Sequence, residues 1–424
     1  MNIYDSELVE SILLSNGYEI VDEVMSADII MINTCSVREH ANDVVFNRVF
    51  RLRHDAGDKK LIIGILGCMA SDLKKKLFEN RRLNIAFIVG PDSYKKLPVI
   101  LDNVFAKIGE VFDVELSIRE TYEELFPRHA KGVNAWIAIM RGCNNFCSYC
   151  VVPYTRGRER SRSVPSIIRE SSRLIEQGFK QITLLGQNVN SYSFEGNDFT
   201  SLILKLSLLE GLKRIRFMSP HPKDFSDSLI EAIADNERIC KHIHLPLQAG
   251  SDRILKMMNR NYTRKDYLNL VDKIRANIPS VKITADIIVG FPSESLKEFE
   301  DTVSVVKNIG FDSAFIFKYS ERDGTQASKE FEDDISETEK KRRVTELNEI
   351  QREISLVKNK EEIGQIQAVL IEQETTKRSD QEFMGRNDGN KIVIFPKVAG
   401  KKGDIILVKI TDVTSNVLRG IPQV

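Results

Sequence analysis

The sequence predicts a three-part α/β protein: an N-terminal doubly wound α/β domain, a central partial (βα)6 barrel and a small C-terminal β-barrel. Three observations carry the prediction. Apolar strands alternate with helical stretches through the first hundred residues, six further apolar runs alternate with helices between Ala135 and Tyr319, and after Gly364 short strands are separated by Gly-rich turns. A length of 424 residues fits about three domains, and the pattern places them at 1–110, 129–358 and 361–424.

Hydrophobic residues make up 42% and charged residues 29% of the chain, proportions that exclude disordered, collagenous and disulfide-scaffold classes. The 61 Lys and Arg balance the 61 Asp and Glu, so contact with nucleic acid must come from local basic patches and not from a global field. Met1 to Glu10 carries three acids and no apolar run, unlike a secretory or transit peptide. No stretch approaches the roughly eighteen apolar residues of a membrane span. The six cysteines are therefore expected in reducing cytoplasm, where clustered thiols bind metal or do chemistry more often than they form bridges.

In order along the chain, Asp5 to Ser15 is an amphipathic helix and Asp28 to Ile32 an apolar strand. A second strand, Lys60 to Leu66, leads into a helix after Cys68, and a third, Ile85 to Val89, ends at Gly90-Pro91. Cys35 and Cys68 both follow strands, where open parallel sheets place ligands; two buried core cysteines is an equally open reading. Residues 110–131 read as a linker. Strands are then expected at Ala135–Met140, Ile182–Leu185, Ile215–Met218, His242–Leu247, Ile283–Val289 and Ala314–Tyr319. Helices come between them at Val164–Gly178, Phe199–Leu212, Leu229–Ile239, Ile254–Ile278 and Leu296–Ile309. Such an array puts its working residues on the loops after the strands. A charged helix, Glu337 to Glu362, connects to short strands at Gln365–Ile371, Lys391–Phe395 and Asp404–Val413. Met384 to Val424 holds seven basic and three acidic side chains, which suits phosphate contact or simply a solvated surface.

The sharpest signal is Cys143, Cys147 and Cys150, spaced CxxxCxxC directly after the first strand of the array. By chance an eight-residue window would hold about 0.1 cysteine, so the cluster is built for metal. Structural zinc wants a fourth protein ligand, and the nearest histidine, His129, belongs to the linker. Three thiolates on a four-iron four-sulfur cluster leave one iron open to a chelating substrate.

This spacing resembles the radical S-adenosylmethionine superfamily, in which the open iron is chelated by that cofactor. Longer strings are similar to its methylthiotransferase family: RGCNNFCSYCVVPYTRGRERSR from Arg141 to Arg162, SPHP from Ser219, HLPLQAGS from His244, DIIVGFP from Asp286 and FKYS from Phe317. The opening MNIYDSE and the VVPYTRGRERSR string favour the branch acting on tRNA. The resemblance implies a methylthiotransferase N-terminal domain, a radical S-adenosylmethionine core and a terminal RNA-binding TRAM domain. It implies as reaction the 2-methylthiolation of N6-dimethylallyladenosine next to the anticodon. One S-adenosylmethionine would methylate a sulfur at an auxiliary cluster and a second would supply the radical that takes hydrogen from adenine C2. The implied partners are the tRNA anticodon loop, an electron donor such as flavodoxin and a sulfur donor, with the protein acting as a monomer away from membranes.

The resemblance gives Tyr149 to the cofactor's adenine, though an ordinary packed aromatic fits as well. Gly186, Gln187 and Asn188 after the second strand, and Asp286, Gly290 and Glu294 at the fifth, suit its amino group and ribose, or loop capping. Cys35 in NTCSVRE and Cys68 in LGCMA match two auxiliary-cluster ligands, while Cys240 matches none and reads as core. Family members carry a strand and a third auxiliary cysteine just ahead of the residues matching Met1-Asn2. The expectation is therefore a start placed too late, with the second of two four-iron four-sulfur clusters held poorly in the 424-residue form. Arg156, Arg158, Arg160 and Arg162 lie beside the cysteines, where guanidiniums could hold RNA or form a salt-bridged face. Two other functions stay open: methylthiolation of a ribosomal-protein aspartate or of threonylcarbamoyladenosine tRNA, and a noncatalytic iron–sulfur RNA-binding protein.

Overall fold

Strands that are apolar on both faces build the first sheet. The computed structural model describes residues 1–34, 40–57, 59–72, 77, 79–80, 82–107, 111–129, 132–397 and 400–423, with backbone alone for 40–43. They form two compact units: residues 1–130 with 140–146 and 150–166, and residues 131–139 with 147–149 and 167–424.

In the first unit β1 (Ile29–Thr34), β2 (Ile62–Gly67), β3 (Phe87–Val89) and β4 (Val111–Asp113) make a parallel sheet in that order. Ile29, Met31, Ile62, Leu66, Phe87 and Val89 face the helices Asn2–Ser15 and Leu97–Phe105. Ile30, Ile32, Ile63, Ile65 and Ile88 face Val45, Val49 and Leu52 of helix His40–Ala56. Helices on both faces are the expected doubly wound layering. Gly64 is required because the Phe87 ring lies where its Cβ would stand. The linker expected over 110–131 is corrected: Val111–Asp113 pairs with β3. A three-residue strand is too short for its period to register in sequence. Residues 140–146 and 150–166, read from sequence as part of the central domain, belong to this unit, where Met140–Arg141 pairs antiparallel with Arg160–Ser161.

In the second unit β5 (Asn134–Ala138), β6 (Gln181–Leu185) and β7 (Arg214–Phe217) form one parallel sheet. The strands β8 (His242–His244), β9 (Lys282–Val289) and β10 (Ser313–Lys318) form another. A parallel bridge from Ile215 to Ile239 lies between them, giving the six-stranded partial barrel in sequence order. The single helix expected from Ile254 to Ile278 is corrected to two, Asp252–Met257 and Arg264–Asn277. Asn259 breaks the run at φ 55°, and Thr263 with Asp266 restarts it through a capping box.

Helix Glu337–Lys360 leads to a closed barrel of β11 (Ile366–Gln373), β12 (Glu382–Arg386), β13 (Ile392–Pro396), β14 (Ile405–Val413) and β15 (Val417–Pro422), in the order β11-β12-β13-β15-β14. Val369, Ile371, Phe383, Val393, Phe395, Val408, Ile410 and Leu418 fill it. Strands β12 and β15 were not expected. Each carries a glycine, Gly385 or Gly420, that breaks the sequence pattern because a Cβ there would strike the neighbouring backbone. No helix among the described residues is long and apolar enough to cross a membrane.

Candidate functional site

The turn that presents the cysteines is made by Gly142 at φ 79°, where a Cβ would meet the Arg158 and Gly157 carbonyls. Cys143 follows, buried, with its N–H donating to Gly157 O at 3.1 Å; Cys150 in the same unit is half-buried. In the second unit Cys147 is half-buried, and Arg260 donates from Nη1 to its Sγ at 3.4 Å. Arg260 is itself buried, with Nε donating to Tyr262 Oη at 3.0 Å and Nη2 to Pro246 O at 3.3 Å. Burial works to discharge the guanidinium, but Tyr262, Tyr149 and Cys147 raise its pKa well above the ordinary value, so it remains a cation. Ser148 fastens the loop by donating N–H to Met258 O at 3.0 Å and Oγ to Met257 O at 2.7 Å. Tyr149 is half-buried beside it.

The carboxyl ends of the other strands carry buried polar groups. Gly186, Gln187 and Asn188 follow β6, and Asn188 Nδ2 donates to Asp224 Oδ2 at 2.7 Å. Gln187 Oε1 and Asn188 Oδ1 are buried acceptors with no donor from the described residues. Gln248, after β8, adds a third such acceptor at φ 67°, its N–H donating to Asp286 O at 2.9 Å. The Asp286 carboxylate lies 3.2 Å from His244 Nε2 with 32% of its side chain exposed. Among the described residues no three Cys, His, Asp or Glu side chains are grouped closely enough to hold a metal ion; what the second unit offers is one thiol with a buried cation at its sulfur and, at its strand ends, orphaned acceptors that suit a ligand rich in N–H and O–H donors.

Three expected site residues, Arg156, Arg160 and Arg162, are corrected, and Glu294 is tied into the protein. Glu294 is 1% exposed, and its Oε2 accepts from Gly290 N–H at 2.6 Å and Arg343 Nη1 at 2.7 Å. It braces the loop through Oε2, while its Oε1 is a further buried acceptor with no donor from the described residues; burial raises its pKa against the pull of those two donors. Arg156, Arg160 and Arg162 were expected to face RNA but are buried. Arg156 donates to Asp5 Oδ2 at 2.6 Å and to Cys68 Sγ at 3.0 Å, Arg160 to Asp92 at 2.9 Å, and Arg162 to Tyr4 Oη at 3.0 Å and Ser166 Oγ at 2.7 Å. Buried guanidiniums require such internal partners. Arg158 is exposed. Cys68 is buried at the end of β2, and Cys35 lies outside the described residues. Of the two thiols expected to hold a second cluster, Cys68 alone falls among the described residues. Cys240 is core, its thiol pushed up to about 12 by burial. Sequence reasoning missed Arg260 and Gln248. Gln248 stood inside the HLPLQAGS string, whereas nothing near Arg260 marked it.

A partial barrel of parallel strands with a three-cysteine loop after its first strand defines the radical S-adenosylmethionine class. Family models agree: the radical SAM superfamily matches residues 137–306, the uncharacterized protein family UPF0004 residues 1–90 and the TRAM domain residues 360–422. The chain is 44% identical over 429 residues to the tRNA-2-methylthio-N(6)-dimethylallyladenosine synthase of Phocaeicola vulgatus, covering 99% of this chain and 93% of that one. It is 45% identical over 424 residues to the synthase of Chloroherpeton thalassium, with the same coverage. The chain belongs to the tRNA-2-methylthio-N(6)-dimethylallyladenosine synthase family, a group of radical S-adenosylmethionine methylthiotransferases. Its fold is like that of the radical S-adenosylmethionine methyltransferase TsrM from Kitasatospora setae, at a TM-score of 0.59 and 14% identity, covering 77% of this chain and 71% of that one.

Proposed function

We propose that this chain converts N6-dimethylallyladenosine next to the anticodon of tRNA into its 2-methylthio derivative. The observation that carries the reading is the 44–45% identity along 99% of the chain to synthases of that name. Cys143, Cys147 and Cys150 would hold a four-iron four-sulfur cluster, which when bound supplies the electron that cleaves S-adenosylmethionine to a radical able to take hydrogen from the unreactive adenine C2. Arg260 holds a positive charge against Cys147 in a buried setting, where it offsets thiolate charge. Gln187, Asn188 and Gln248 offer acceptors to the amino group and ribose hydroxyls of the substrate cofactor, and Asp286 and Tyr149 complete its surround. No step is assigned to a second cluster. The work divides over an N-terminal domain at 1–110, extended by the strand at 111–113 and by residues 140–146 and 150–166, a core within 129–358, and 361–424, the last reading tRNA phosphates. The protein acts as a cytoplasmic monomer supplied with electrons by a carrier such as flavodoxin and with sulfur by a separate donor.

Mass spectrometry of tRNA nucleosides from a deletion strain tests the reading. The 2-methylthio derivative should vanish, the dimethylallyl precursor should accumulate, and the gene supplied back should reverse both. An unchanged nucleoside profile would overturn it.

A further inference from the structure

Of the four arginines between 156 and 162, Arg158 is the one that reaches the surface. Its guanidinium carbon lies 4.3 Å from the centroid of the Phe146 ring, and that ring meets the Tyr154 ring edge-on at 6.1 Å and 87°. Tyr154 is 48% exposed. We propose that Phe146, Tyr154 and Arg158 form a stacking platform for an unpaired base of the RNA substrate, an inference that rests on the reading of the chain as a tRNA-modifying enzyme.

The platform is held in place before any ligand arrives. Phe146 takes φ 47°, a conformation a bulky side chain adopts only when its surroundings impose it. Asn144 donates its N–H and Nδ2 to the Glu159 carboxylate at 3.1 and 3.4 Å, and Glu159 N–H donates back to Asn144 Oδ1 at 3.3 Å. The Cys143 N–H to Gly157 bond and the Tyr154 N–H to Val151 O bond at 3.0 Å fix the same two segments. A flat cation over one aromatic ring beside a second exposed ring suits the π-face of a base. The Glu159 carboxylate alongside disfavours phosphate. Phe146 immediately precedes Cys147, and Tyr154 follows Cys150 by four residues. The base held there is therefore a loop neighbour of the nucleotide that reacts.

The test uses the anaerobically reconstituted full chain and a synthetic anticodon stem–loop RNA carrying 2-aminopurine in its loop, titrated across salt concentrations. Stacking should quench the fluorophore. Tyr154→Ser, Arg158→Ala and Phe146→Leu should each weaken binding about tenfold without changing the salt slope, and Arg158→Lys should behave as Arg158→Ala because the planar stack is lost. Iron content equal to that of the unmutated chain shows that each variant's cysteine loop is intact, and Tyr154→Ser alters no neighbour of a cysteine. Unchanged affinity in Tyr154→Ser and Arg158→Ala overturns the platform. So does a loss that Arg158→Lys rescues with a shallower slope in Arg158→Ala, since that is a phosphate contact. If the unmutated enzyme makes no methylthio product on this RNA, the functional reading falls; if it does and the variants bind normally, the platform alone falls.

Discussion

Asp5 has no solvent exposure and accepts from Arg141 at 2.8 Å and from Arg156 at 2.6 Å. Burial alone would raise its pKa, yet Arg156 and Arg141 outweigh it and hold the carboxyl at about 2. Its stabilisation is therefore fully present above the ordinary carboxylate range and is lost as pH falls through about 2. Asp5→Asn leaves two buried guanidiniums short of a counter-charge and should cost the first unit about 3–5 kcal/mol, read as a shift in its urea midpoint; a shift of a few tenths would refute this. The arginine cluster was plain in the sequence, but its direction was not. Arg156 finds its carboxylate 151 positions away, and no local spacing reports such a partner. Arg260 presents the same difficulty in the other unit. With its positive charge at Cys147, Arg260→Gln should make reduction of a reconstituted cluster harder, moving the potential negative in an EPR-monitored titration, with Arg260→Lys intermediate. An identical potential in all three proteins would show that the guanidinium does not act on the sulfur.

Elements were legible where burial on both faces wrote a continuous apolar run, as in β6, all of whose five residues are buried. They were illegible where packing demanded a residue that contradicts the local pattern. Gly385 and Gly420 concealed two barrel strands because the neighbouring backbones leave no room for a side chain. Thr263 shows the opposite case: the Thr-x-x-Asp signal at 263–266 was present, but the apolar period running on either side masked the break. Removing the cap with Thr263→Ala should cost about 1 kcal/mol. Gly64→Ala drives a methyl into the Phe87 ring and should cost about 1–3 kcal/mol, most of it recovered by Phe87→Leu. A double-mutant cycle in thermal unfolding gives both numbers, and additive effects would mean that the ring is not what forbids a side chain at Gly64.

At the scale of the molecule, the sequence placed the small terminal β-barrel in a domain of its own at 361–424, as if it could be removed cleanly. The structure argues otherwise. Buried Arg214 donates to Arg386 O and Ala368 O at 2.7 Å each, and buried Arg216 to Asp388 O at 2.8 Å and Asn387 O at 2.7 Å. Lys391 adds an ion pair to Asp312 at 3.0 Å. These four carbonyls come from the terminal barrel and satisfy guanidiniums rooted in β7 of the partial barrel. Truncation after Gly364 therefore strips acceptors from two cations, at about 1–3 kcal/mol for each group left unsatisfied. The truncated chain should melt earlier and lose cofactor cleavage along with RNA binding, so loss of binding in it says nothing about phosphate contact. Substitution of exposed side chains isolates that contact. Lys397, Lys401, Lys402 and Lys409 lie on the barrel surface, whereas Arg386, Lys391 and Arg419 are engaged with Glu372, Asp312 and Glu382. Replacing the four lysines by Gln should leave the melting transition in place and weaken binding of a stem–loop RNA. The log–log salt slope should fall by about 0.7–0.9 for each lysine that neutralises a phosphate. An unchanged slope with all four replaced would remove the terminal barrel from the list of phosphate-binding surfaces, whatever the truncated chain does.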